Sequence, residues 1–231
     1  MSGLKLQILP DSQPTPTDTA TAPLTCCYCK AGFPPRRVGE AWAEFCLDCK
    51  RKRHHKMQGF PKRYADVCLS QCEVNDGNRE AMQAATEWCA GDRNLWFYGS
   101  PGSGKTFIAS AAAHDGPIGL SRFVSVPEML LEFQSSVKEH DELQLIRKYC
   151  VNLPSVTQVF DDVGAHRVSD FSIEMFTILL ERFYASDTVG LIFTSNLSPQ
   201  DILTTMGERV ASRLRGLARP IKLTGKDWRV S

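Results

Sequence analysis

The run Gly99, Ser100, Pro101, Gly102, Ser103, Gly104, Lys105, Thr106 follows directly on the apolar stretch Leu95-Trp96-Phe97-Tyr98. No other segment narrows the fold as far. It matches the pattern Gly-x-x-x-x-Gly-Lys-Thr, with a buried strand before it and a helix opening Thr106-Phe107-Ile108-Ala109 after it. The glycines let the backbone wrap closely around phosphate oxygens. The helix start adds free N–H groups and the positive end of a dipole. Lys105 is expected to reach the β- and γ-phosphates of a nucleotide such as ATP, and the Thr106 hydroxyl to ligate magnesium, Mg2+.

From this strand onward the chain alternates short apolar runs with amphipathic ones. Strands are expected at 95–98, 122–126, 156–160, 189–194 and 220–223. Helices are expected at 105–114, 127–137, 141–149, 171–184, 199–206 and 208–214, with a further one at 78–90 that Asn78 is placed to cap. Pro127 and Pro199 suit first helical turns. Five apolar strands between helices imply an α/β fold, a parallel sheet covered on both faces.

Two further strand ends carry polar groups. The run Val156-Thr157-Gln158-Val159-Phe160 ends in Asp161 and Asp162, 56 residues after Lys105. Asp161 is expected to hold magnesium and Asp162 to orient and polarise the attacking water. The run Leu191-Ile192-Phe193-Thr194-Ser195 ends in Asn196. Asn196 can hydrogen-bond a γ-phosphate or its attacking water, while Ser195 or Ser198 caps the next helix.

The front of the chain differs. Residues 1–24 are rich in Pro, Thr, Asp, Ser and Gln and are expected to be a disordered tail. Residues 25–60 contain Cys26-x-x-Cys29 and Cys46-x-x-Cys49 sixteen residues apart, the spacing of a four-cysteine zinc (Zn2+) site. Cys27 competes with Cys26 as the first ligand. Residues 61–92 form a connector and helix, and 93–231 the nucleotide-binding domain. Residues 1–65 hold eleven Lys or Arg against five Asp or Glu, whereas the remainder hold sixteen against twenty-one. That asymmetry suggests two regions with different partners. The run Lys50-Arg51-Lys52-Arg53-His54-His55-Lys56 fits a solvated helix face or a nucleic-acid contact equally well. The apolar runs are far short of the roughly 18 residues of a membrane span. With no signal-like N-terminus, a cytoplasmic protein without a membrane partner is expected.

Together, the loop region 95–106, Phe160-Asp161-Asp162-Val163-Gly164, Thr194-Ser195-Asn196-Leu197-Ser198 and Gly207-Glu208-Arg209-Val210-Ala211-Ser212-Arg213-Leu214 resemble the DnaC/DnaI-type helicase loaders, AAA+ ATPases of bacteria and their phages. The resemblance runs from about residue 61 to the end of the chain. It implies a five-stranded parallel AAA+ sheet in the order 5-1-4-3-2, behind the zinc module. It also implies no helical lid, since only two residues follow Arg229. Asn196 matches the sensor 1 position, and Arg213 an arginine finger acting on a neighbouring subunit, with Arg209 as the alternative. Arg229 matches a nucleotide-sensing arginine. The implied partners are a DnaB-type replicative DNA helicase, single-stranded DNA through Lys138, Arg147 and Lys148, and further copies of the chain as an ATP-bound homo-oligomer. The zinc module would touch the helicase or DNA. Two other readings fit the core motifs: an IstB-like ATPase that regulates a transposase, and a zinc-dependent DNA- or protein-binding adaptor for which nucleotide is structural only.

Overall fold

The parallel sheet follows from central strands too apolar to leave either face in water. In the computed structural model the described residues run from 59 to 224, except 66, 89–93, 117–119, 137–141, 151–155, 166–168 and 187–189. The backbone of four two-residue strands before them is also described. The chain divides into two units, Met1–Cys49 and Lys50–Ser231. In the first unit β1 (Leu24–Thr25) pairs antiparallel with β2 (Gly32–Phe33), and β3 (Arg37–Val38) with β4 (Ala41–Trp42). The four candidate zinc ligands, and the tail expected at 1–24 up to its last residue, lie outside the described residues.

The second unit carries the sheet. Its strands are β5 (Leu95–Gly99), β6 (Leu120–Ser125), β7 (Val156–Val163), β8 (Leu191–Ser195) and β9 (Arg219–Leu223), in the spatial order β6-β7-β8-β5-β9. All four pairings are parallel, and the order is the expected 5-1-4-3-2 read from the other edge. Alternate residues feed opposite faces. Trp96, Phe160 and Phe193 enter one core, and Leu95, Phe97, Val159 and Ile192 the other.

The second of these cores is covered by α1 (Arg79–Trp88) and α2 (Lys105–Asp115). Ala109, Ala112 and Ala113 give α2 a face of small side chains packed into that core. The first core is covered by α3 (Val126–Ser136), α4 (Glu142–Tyr149), α5 (Asp170–Ala185) and α6 (Pro199–Leu217). Gly207, at φ 88°, interrupts α6 where the sequence predicts two helices. Ser198 caps α6 in a reciprocal box with Asp201. The Asn78 side chain turns back from α1: its carbonyl accepts from Asn75 N–H at 2.8 Å and its amide donates to Glu73 O at 2.9 Å. Among the described residues no helix is long and apolar enough to cross a membrane.

β7 departs from the sequence reading. The pattern predicts a strand that stops at Phe160, with Asp161 and Asp162 beyond it. The strand instead continues to Val163, with a register shift against β8 between Phe160 and Val163. The hydroxyls of Thr194 and Ser195 on β8 hold the extension.

Candidate nucleotide-binding site

The glycine-rich loop joins β5 to α2 at the C-terminal end of the sheet. Gly99 is packed so closely under β9 that a Cβ would lie 2.0 Å from Leu223 O. Gly104, at φ 93°, has open space where a Cβ would stand, leaving the α2 N-terminus accessible. Lys105 is only 5% exposed. Its ammonium donates to Gly99 O at 2.9 Å and Ser100 O at 2.7 Å, and lies 3.5 Å from Ser103 Oγ. A lysine folded onto its own loop beside a helix N-terminus is suited to an anion.

Asp161 sits at the end of β7, 9% exposed. Thr194 Oγ1 donates to its Oδ1 at 2.6 Å, and the Thr106 hydroxyl is close enough to favour its ionised form. The hydroxyl of Thr106 and the carboxylate of Asp161 are hard oxygen donors of the kind magnesium takes, so these residues fit that ion. Burial pushes the Asp161 carboxyl up to about 6, and the neighbouring Asp162 charge adds to this, while Thr194, Thr106 and Lys105 pull it down. Asp162 is half-buried and is the one described non-glycine residue with positive φ, at 59°. That left-handed conformation costs about 1–3 kcal/mol unless its surroundings hold it. Its N–H donates to Thr194 Oγ1 at 3.0 Å.

The raised pKa of Asp161 has a measurable consequence. The unfolded carboxyl titrates near 3.8, so between about pH 4 and pH 6 the folded chain binds the extra proton. Wild-type stability therefore drops through that window, and at neutral pH the ionised carboxyl costs on the order of 1–3 kcal/mol. In metal-free buffer at pH 7.5, Asp161→Asn should unfold later by that amount, or several degrees in Tm. Its advantage should shrink as pH falls through 6 and vanish below about 4. Identical unfolding curves at pH 7.5 would show that the carboxyl is not desolvated.

Asn196 stands exposed just past β8. Behind it, Ser195 Oγ donates to Val163 O at 2.6 Å and accepts from Leu197 N–H at 3.0 Å. Arg213, on the second half of α6, lies over the Tyr184 ring at 4.9 Å and makes no ion pair among the described residues. Arg209, one turn earlier, is paired with Glu181 at 2.8 Å. Arg229 and Lys138 lie outside the described residues, Arg147 is exposed on α4, and Lys148 is paired with Glu132.

One wall of the site was not visible in the motifs. A cavity of about 340 Å³ opens beside Ser103, Gly104 and Phe107, closed on its far side by Cys72, Glu73 and Asn78. The segment before α1 is tied there by Leu69 N–H to Asp115 Oδ2 at 2.8 Å and by Thr224 N–H to Gly77 O at 2.9 Å. Among the described residues no three His, Cys, Asp or Glu side chains converge as a metal cluster would.

Comparison with known proteins places this geometry. The family described as IstB-like ATP binding protein matches residues 49–213. The replicative helicase loader DnaI of Bacillus subtilis (strain 168) is 26% identical over 210 residues, 79% of this chain and 65% of its own length. The Escherichia coli (strain K12) protein YdaV is 26% identical over 166 residues, 67% of this chain and 64% of its own. The chain thus spans just under two thirds of each of these relatives. The crystal structure of DnaI superimposes with a TM-score of 0.64 at 25% identity, covering 72% of this chain and 96% of that one. The DnaC helicase loader gives 0.63 at 22%, covering 71% and 100%. The initiator DnaA bound to AMPPCP and single-stranded DNA gives 0.61 at 20%, covering 73% and 52%. The last two bear on the fold alone, which is the AAA+ fold.

Proposed function

The chain belongs to the IstB-like ATP binding family, and from that premise we propose that it is a AAA+ ATPase that loads a DnaB-type replicative helicase onto single-stranded DNA. The observation that carries the ATPase reading is the contact set at one sheet end: Lys105 on its loop, and Asp161 hydrogen-bonded to Thr194 and close to Thr106. The residues from Gly99 to Thr106 would cradle the phosphates, with the base in the cavity beside Phe107 and Cys72. Thr106 and Asp161 would hold magnesium, which when bound neutralises charge on the phosphate oxygens. Asp162 would orient the attacking water, with Asn196 bonding that water or the γ-phosphate. Arg213 would act on ATP held by a neighbouring copy, and Arg229 would sense nucleotide. Cys26 or Cys27, with Cys29, Cys46 and Cys49, would bind one zinc ion in a domain separate from the ATPase core. Binding of ATP would order the subunit interface and hydrolysis release it, so turnover without partners would be slow.

The likeness to DnaI, itself a replicative helicase loader, supports the loading role. Membership of the IstB-like family is equally consistent with a second reading, an IstB-like ATPase that regulates a transposase. Co-sedimentation separates them. With ATP and magnesium the chain should pellet with a DnaB-type helicase and release it without nucleotide, and the same preparation should contain one zinc per chain. Nucleotide-dependent capture of a transposase and none of the helicase would turn the assignment to the second reading. Absence of zinc would remove the four-cysteine site.

A further inference from the structure

We propose that Thr194 is the positioning residue that sets both acidic groups at the end of β7. This rests on the nucleotide-site reading above. Thr194 is completely buried on β8, two residues before Asn196. A hydroxyl has one hydrogen to give and lone pairs to receive. Thr194 gives its hydrogen to Asp161 Oδ1 at 2.6 Å and receives the Asp162 N–H at 3.0 Å. One oxygen atom thus fixes a side chain and the next residue's backbone.

The backbone needs fixing. In an unbulged strand Asp161 and Asp162 would project to opposite faces of the sheet. Here the β7–β8 register shifts between Phe160 and Val163, and Asp162 takes φ 59°, a left-handed conformation uncommon for a residue other than glycine, although aspartate tolerates it better than most. The support comes from consecutive β8 hydroxyls: Thr194 on Asp161 and Asp162, and Ser195 on Val163 O at 2.6 Å. Of the two, only Thr194 touches the acidic pair, so its loss should disturb the carboxylates while leaving the loop that grips phosphate alone.

The substitution Thr194→Val keeps the shape and removes the hydroxyl. It should lower kcat for ATP about ten- to a hundredfold, the range set by losing a hydrogen bond to a charged group. KM should change little, because phosphate contacts from the loop remain. The magnesium concentration needed for half-maximal tightening of a fluorescent ADP analogue should rise, while affinity for the analogue in EDTA stays at the wild-type value. Thr194→Ser restores the hydroxyl without the methyl and should recover both kcat and the magnesium midpoint. If the Val variant does not fold, Thr194→Ala removes the same group and carries the same expectation. Wild-type kcat and magnesium midpoint in the hydroxyl-free variant would overturn the proposal. So would a Ser variant as impaired as Val, which would assign the effect to methyl packing. A wild-type chain that binds no nucleotide in EDTA or magnesium would instead overturn the ATP reading itself.

Discussion

The variant Lys105→Ala should show no saturable binding of a fluorescent ATP analogue at concentrations that saturate the wild-type chain. Lys105 is nearly inaccessible, and its ammonium is surrounded by loop acceptors at Gly99 and Ser100. Its removal takes the one cationic side chain of the loop away from the phosphate position. Truncating one partner of a buried charged pair costs about 2–5 kcal/mol or more, at least a roughly thirtyfold loss of affinity. A second effect runs the same way. The Lys105 charge is one of the influences that keep Asp161 ionised, so without it the carboxyl should move further up from about 6. Magnesium would then meet a carboxyl less often charged. The thermal melt of the variant should show that the sheet is intact. Unchanged affinity in a folded variant would sink the phosphate-loop assignment.

For Arg213→Ala the expected result is the reverse: normal ATP binding with turnover lower by a factor on the order of 10³–10⁵, the contribution of an arginine finger. Arg213 is held over Tyr184 with its guanidinium outside any ion pair among the described residues, whereas Arg209 is engaged with Glu181. The stack fixes the side chain's direction without consuming its charge, which suits a group presented to another subunit. Arg213 and Lys105 should therefore complement each other in mixed assemblies. An Arg213→Ala subunit supplies a complete phosphate loop, and a Lys105→Ala neighbour supplies the missing arginine. Turnover should reappear on mixing two inactive preparations. If wild-type chains assemble and no mixture recovers activity, Arg213 does not act in trans, and Arg209, freed from Glu181, is the next residue to replace.

Some of this was legible because it is local. The loop from Gly99 to Thr106 dictates its own conformation within eight residues: glycines where φ is positive or a neighbour presses in, then a helix whose first residue is Lys105. The alternation of apolar strands and amphipathic helices likewise announced a covered parallel sheet, because each segment's burial pattern is carried by its own residues. The strand order came from motif resemblance, and the sheet has that order.

Other features exist only once distant segments meet. Thr194 is 33 residues from Asp161 and looks in sequence like any polar residue near a strand end. Its role depends on the β7–β8 register, which no local pattern encodes. The positive φ of Asp162 and the extension of β7 to Val163 follow from the same cross-strand hydroxyls, so a reading by periodicity ended the strand too early. The cavity wall at Cys72, Glu73 and Asn78 lies some thirty residues before Gly104 and is brought beside it by bonds to Asp115 and Thr224. The elevated pKa of Asp161 depends on burial by the whole sheet end, which composition cannot supply. The sequence by itself determined which chemistry the chain carries, because phosphate binding needs a few residues in one short turn. Only the tertiary structure decided how the acidic groups are aimed and ionised, because aim and desolvation come from neighbours that are distant along the chain.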